Sequence, residues 1–129
     1  METYQEMKTR QGKEIDSFEG LFFAFNKEQL EEGLLKVNAT TKDIVSIGAG
    51  GFILRLEVKA LKDMFTRHSA ERKDRLKEEK KLVEALVYEL NNHEYSYTYD
   101  TTDALASLGL TSESIEPKIL NKACKLALV

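Results

Sequence analysis

Apolar and polar positions follow two periods along this chain, and the helical one covers more of it. Residues 1–16 are polar, with Tyr4, Met7 and Ile15 as the sizeable apolar groups. A frayed tail or a marginal helix is expected there, and residues 1–17 read as a flexible segment ahead of one globular domain over 18–129. The window "FEGLFFAF" (Phe18–Phe25) is the most apolar. It suits a buried strand or the start of a buried helix, and its rings are expected in the core. Asn26 reads as an N-cap, because its short side-chain oxygen can accept from free backbone N–H groups. Gln29 follows three residues on, as in a capping box. The helix should run from Lys27 to Val37, with Leu30, Leu34 and Val37 on one face and Gly33 as its weak point.

Ile44–Ile47 and Phe52–Leu54 are candidate strands around a glycine cluster. Beyond them Leu54, Val58, Leu61, Phe65 and His68 fall at helical steps. The stripe lapses over Thr66–Arg75 and resumes at Leu76, Val83, Leu86 and Leu90. No glycine or proline interrupts it, so one long charged helix is expected, ended by Asn91–Asn92. "YSYTYD" (Tyr95–Asp100) alternates aromatic and small polar residues, as a short strand or extended loop would. Asp100 or Thr101 is expected to cap a helix ended by Gly109, and Pro117 to open a final one. The fold class is therefore α+β: mostly α-helical, with one long helix and a small β-hairpin.

Composition narrows the class without naming an activity. Apolar residues make up 42% and charged residues 32% of the 129 positions, a globular balance. A net charge of −3 argues against the uniformly basic surface of a general nucleic-acid binder. One cysteine permits no intrachain disulfide. The first residues lack the apolar core of a signal peptide, and no apolar run is long enough for a bilayer, so a reducing cytoplasm is expected and a membrane is not.

Three constellations are candidate sites. In "DIVSIGAGGFIL" (Asp43–Leu54), Gly48 and Gly50 match the first two glycines of a dinucleotide loop, but Ile53 stands where the third is needed for close packing. A tight turn with Gly50 or Gly51 at positive φ is the better reading. Next, His93 precedes Tyr97, Tyr99, Asp100 and Asp103. Together they are a candidate polar pocket, since histidine titrates near neutrality and carboxylates can hold it. Capping and packing roles account for the same residues. No HExxH or CxxC spacing occurs, so no metal, cofactor or catalytic residue is expected. Finally, Arg55–Glu84 carries ten basic against seven acidic residues. Arg67, Arg72, Lys73, Arg75, Lys77, Lys80 and Lys81 form the candidate contact for an acidic partner, set against a solvated helix with pairs such as Glu71–Arg75.

The stretches "FEGLFFAFNKEQLEEGLLKV", "IGAGGFIL" and "ALVYELNNHEYSYTYDTTDALASLGL" together resemble a family of small uncharacterised proteins of phages and mobile elements of gut bacteria. The resemblance covers most of the chain from Phe18 on. It implies a small accessory protein in a bacterial host cytoplasm, and it carries over no catalytic residue. The expected function is non-enzymatic: binding a host protein or protein–nucleic acid complex through the Arg67–Lys81 face, with inhibition of a defence system as one outcome. A direct nucleic-acid binder on the same face is the alternative, and a small enzyme or ligand sensor around His93 the second. The 54–90 stripe also leaves a homodimer open, although its polar gap opposes a continuous coiled coil.

Overall fold

The computed structural model describes all 129 residues, in the order α1 (Tyr4–Asp16), β1 (Leu21–Phe23), α2 (Lys27–Lys36), β2 (Ile44–Gly48), β3 (Gly51–Leu54), α3 (Val58–Arg75), α4 (Glu79–Asn92), α5 (Tyr95–Thr98), α6 (Thr102–Ser107) and α7 (Pro117–Ala127). Short 3₁₀ turns at Thr41–Asp43 and Arg55–Glu57 lead into β2 and α3. The α+β class holds, with helix predominant. The chain divides into two compact units: a sheet unit, Thr9–His68, and a helical unit, Met1–Lys8 with Ser69–Val129. Their boundaries fall inside α1 and α3, not at residue 17. No helix is long and apolar enough to cross a membrane.

The sheet unit is built on three antiparallel strands in the order β1-β3-β2. The expected hairpin is β2–β3. The window beginning at Phe18 resolves into β1, which pairs with β3 as Leu21↔Ile53, Phe22↔Phe52 and Phe23↔Gly51. Strand side chains alternate between faces. On one face Phe22 stacks on Phe52 beneath Leu30 and Leu34 of α2 and Val37, its C-cap. On the other Ile53 is fully buried among Leu61, Met64, Ile15 and Phe18. Asn26 caps α2 as expected, its Oδ1 accepting from Gln29 N at 2.8 Å, while Gln29 Oε1 accepts from Phe25 N at 2.8 Å. The hairpin turn takes Gly48, Ala49 and Gly50 successively through positive φ, at 88°, 51° and 81°. Gly51 does not share that conformation; it is needed because a Cβ there would lie 2.7 Å from Ile47 Cγ1.

In the helical unit α4 packs along α7 and against α6, burying Val83, Leu86 and Leu90 with Leu105, Ala123 and Ala127. Tyr4 and Met7, at the start of the segment expected to be flexible, are part of this core at 2% and 3% exposure. Glu89 holds them in place. It is 1% exposed, accepts from the Tyr4 hydroxyl at 3.0 Å, and pairs with Lys8 Nζ at 3.1 Å. That ammonium also lies 5.5 and 5.2 Å from the Tyr4 and Tyr88 ring centres, a cation–π contact on two sides. A buried carboxylate is tolerated only when paired and hydrogen-bonded in this way.

The single long helix does not form. The chain leaves helical geometry at Leu76–Glu78, where Glu78 is extended at φ −93°, ψ 123°. Arg75 Nη2 then reaches Glu84 Oε1 at 2.6 Å. Nine residues along one straight helix would put these groups on opposite sides, about 13 Å apart in rise, so this pair exists only across the break. "YSYTYD" is likewise not a strand. It forms the single turn α5, bounded by Glu94 and Tyr99 at φ 56° each, with Tyr95 inside and Tyr97 and Tyr99 outside.

Gly33, the weak point of α2, proves to be required. A Cβ at that position would overlap the Phe22 ring. Alanine gains about 1 kcal/mol in helix propensity but overpacks the contact by about 1–3 kcal/mol. Gly33→Ala should therefore lower stability in urea denaturation, and Phe22→Leu should relieve that loss. A Gly33→Ala protein more stable than its parent would contradict the account.

Candidate functional site

The basic residues singled out in the sequence are largely engaged within the chain. In the sheet unit Arg67 pairs with Glu14, its Nη1 lying 3.2 Å from Oε1. In the helical unit Arg75 has 10% of its side chain exposed, donating to Glu84 and to the Glu2 carbonyl at 2.9 Å. Arg72 is half-buried, and its charge acts on the Tyr4 phenol, whose pKa burial and Glu89 push up. Lys77 lies 3.6 Å from Asp74 and Lys81 3.3 Å from Glu78. Lys73 and Lys80 are exposed and hold no ion pair. Exposed pairs are worth about 0–1 kcal/mol each, yet they offset charge that a phosphate backbone would otherwise meet.

The residues around His93 lie close in sequence but serve separate local ends. His93 terminates α4, and its Nε2 sits 2.9 Å from Ser107 Oγ. Ser107 Oγ in turn donates to the Asp103 carbonyl at 3.0 Å, so it is the Asp103 backbone, not its carboxylate, that joins this chain of contacts. Asp100 caps the next turn: its Oδ1 accepts from Thr102 N at 2.9 Å, and that bond holds its pKa below the usual range. Tyr97 and Tyr99 are 85% and 66% exposed. No group of three His, Cys, Asp or Glu side chains has metal-ligand geometry.

A different charge cluster forms in the sheet unit. His68 is 1% exposed, and its Nε2 lies 2.7 Å from Glu14 Oε1. Gln11 Nε2 donates to the His68 carbonyl at 3.3 Å. The Arg67 guanidinium first, and then the His68 ring, hold the Glu14 carboxyl down to about 2. The sequence offered no local sign of this cluster, because Glu14 and His68 are 54 positions apart.

The sheet unit also carries a cluster of exposed apolar side chains. Phe25 lies over Gly50, close enough that a Cβ on that glycine would overlap the ring, yet it remains 76% exposed. Phe23 and Ile47 flank Gly51 and are 47% and 41% exposed. Gly50 and Gly51 form a floor on which Phe25, Phe23 and Ile47 rest. The Phe18–Phe25 rings thus split. Phe22 is core, Phe18 half-buried, and Phe23 and Phe25 are surface. Beside this end a groove of about 440 Å³ runs between β1 and α2, bounded by Ile15 and Asp16 of α1. It continues past Leu21 into a wider hollow of about 650 Å³ lined by Glu19, Lys36 and Glu57.

The chain belongs to the DUF7659 family, a family of unknown function whose model matches residues 3–128. No curated protein and no solved structure matches it.

The Glu14 cluster predicts an acid-sensitive contribution to stability. Its carboxyl titrates lower in the folded protein than the ordinary 4.5, so its stabilising effect is complete above that value and is lost as pH falls toward about 2. Glu14→Gln should be less stable than the parent at neutral pH, with the gap closing through that window in pH-resolved thermal melts. A gap that stays constant down to the acid end would rule out the cluster as its source.

Proposed function

We propose that this chain is a non-enzymatic binding protein whose partner is another protein. Its setting would be that of a phage or mobile-element accessory protein in a bacterial host cytoplasm, with the partner a host protein or complex, such as one serving in defence. The observation that carries the reading is the exposure of Phe23, Phe25 and Ile47 together at one end of the sheet. Aromatic side chains are enriched in the buried cores of protein interfaces, and they supply much of the binding energy there. The internal pairing of Arg67, Arg75, Lys77 and Lys81 weakens the case for the basic segment as the main contact. Lys73 and Lys80 keep a direct nucleic-acid reading open as the alternative.

A photocrosslinking side chain placed at Phe25 in the native host should identify the partner, whose affinity can then be measured with purified proteins. Phe25→Ser should weaken that affinity at least about tenfold, or about 1.4 kcal/mol. Charge reversal at Lys73, Lys77 and Lys80 should leave it nearly unchanged. These lysines are chosen because Arg75 supports the fold. Binding that ignores Phe25→Ser but collapses with charge reversal and added salt would replace the proposal with nucleic-acid binding.

A further inference from the structure

The free edge of β1 ends in a short row of unmet backbone groups. β1 pairs only with β3. Gly20 O accepts from Leu54 N at 3.1 Å, and Ala24 N donates to Gly50 O at 2.8 Å, so the even-numbered residues of this segment bond toward β3. In an antiparallel ladder the alternate residues then direct their N–H and C=O groups outward. At one end of that outward row, Leu21 N donates to Phe18 O at 3.3 Å. At the other, Phe25 N donates to Gln29 Oε1 at 2.8 Å. The Leu21 carbonyl and both backbone groups of Phe23 remain between them, with no partner in the fold.

These groups open into a groove. Leu21, Phe22 and Phe23 all line it, and consecutive strand residues can border one cavity only along the strand's edge. Gln29, Glu32, Gly33 and Lys36, one face of α2, form the opposite wall. The absent side chain at Gly33 lets Phe22 and α2 approach, which sets the width. Around the groove and the hollow that continues it stand Asp16, Glu19, Glu32 and Glu57 against one base, Lys36.

We infer that this groove takes an extended, basic peptide segment of a partner protein, which adds to the β1 edge as a fourth strand. One peptide residue opposite Phe23 would exchange two backbone hydrogen bonds with it, and a neighbouring N–H would reach the Leu21 carbonyl. Strand addition of this kind draws affinity from main-chain bonds and selectivity from the flanking side chains. Here the selectivity is for lysine or arginine over acidic residues. The same acidic rim disfavours a second copy of this chain, because pairing β1 with β1 would bring two such rims together. The inference rests on the reading of the chain as a protein binder and adds the chemistry of what it binds.

The test uses fluorescein-labelled Lys-Val-Lys-Val-Lys-Val-Lys and its counterpart with glutamate in place of lysine, against the full chain. Polarisation should show saturable binding of the lysine peptide, weakened by salt, and none of the glutamate peptide. At saturation the Phe23 amide should exchange with solvent at least about tenfold more slowly. Asp16→Lys with Glu32→Lys, both at exposed positions, should reverse the peptide preference. Equal binding of the two peptides, no saturation by either, or an unaltered Phe23 amide would overturn the inference. So would protection of that amide in peptide-free protein that sediments as a dimer, since the occupant would then be a second copy. If the lysine peptide fails while Phe25→Ser still weakens the crosslinked partner, the groove is refuted and protein binding stands.

Discussion

The contact between Phe22 and Gly33 governs the sheet unit. Phe22 occupies the space a side chain on residue 33 would need, so α2 lies directly against the strand beneath it. That approach buries Phe22 and stacks it on Phe52. It also leaves a narrow channel beside the strand where a helix one side chain higher would leave a broad shelf. Two further close approaches repeat the device at the turn, where Gly50 and Gly51 lie beneath Phe25 and Ile47. The apolar end of the sheet is thus a product of missing side chains as much as of present ones.

The helical unit depends on a polar contact instead. Glu89 is buried in an apolar helix face, and its oxygens are met by Tyr4 and Lys8 from the other end of the sequence. The pair is lopsided: Glu89 is 1% exposed and depends on these partners, whereas the Lys8 side chain keeps 38% exposure and can be solvated without it. Arg75, Glu84 and the Glu2 carbonyl add a second tie between the chain start and the α3–α4 break. Arg75, one of the basic residues of the candidate contact, is held within this architecture.

Local chemistry was legible in the sequence where it is self-contained. The Asn26 cap, the glycine stop at Gly109 with φ 71°, the opening of α7 at Pro117 and the β2–β3 hairpin all depend on a few adjacent residues. The break at Leu76–Glu78 was not legible. Leu61, His68, Val83, Leu86 and Leu90 stay in phase for one continuous helix, and no breaker residue marks the gap. In α1, the spacing of Tyr4, Met7 and Ile15 fits one helical face, but the position between the last two is taken by Gln11, a buried polar residue satisfied from His68. The alternation in "YSYTYD" imitates a strand because a single turn between two left-handed residues is too short to show a helical period. The groove beside β1 needs the pairing of residues thirty positions apart, which no local pattern encodes.

The hairpin turn carries one residue at odds with its backbone. Ala49 sits at φ 51° between two glycines that adopt such angles freely. A side chain in the left-handed region costs roughly 1–2 kcal/mol relative to the right-handed one. The tip of the sheet therefore holds a reserve of strain that Gly or Asn at position 49 would release without altering any apolar surface. For anyone wishing to make this domain hardier while leaving its outward face intact, that alanine is the natural place to begin.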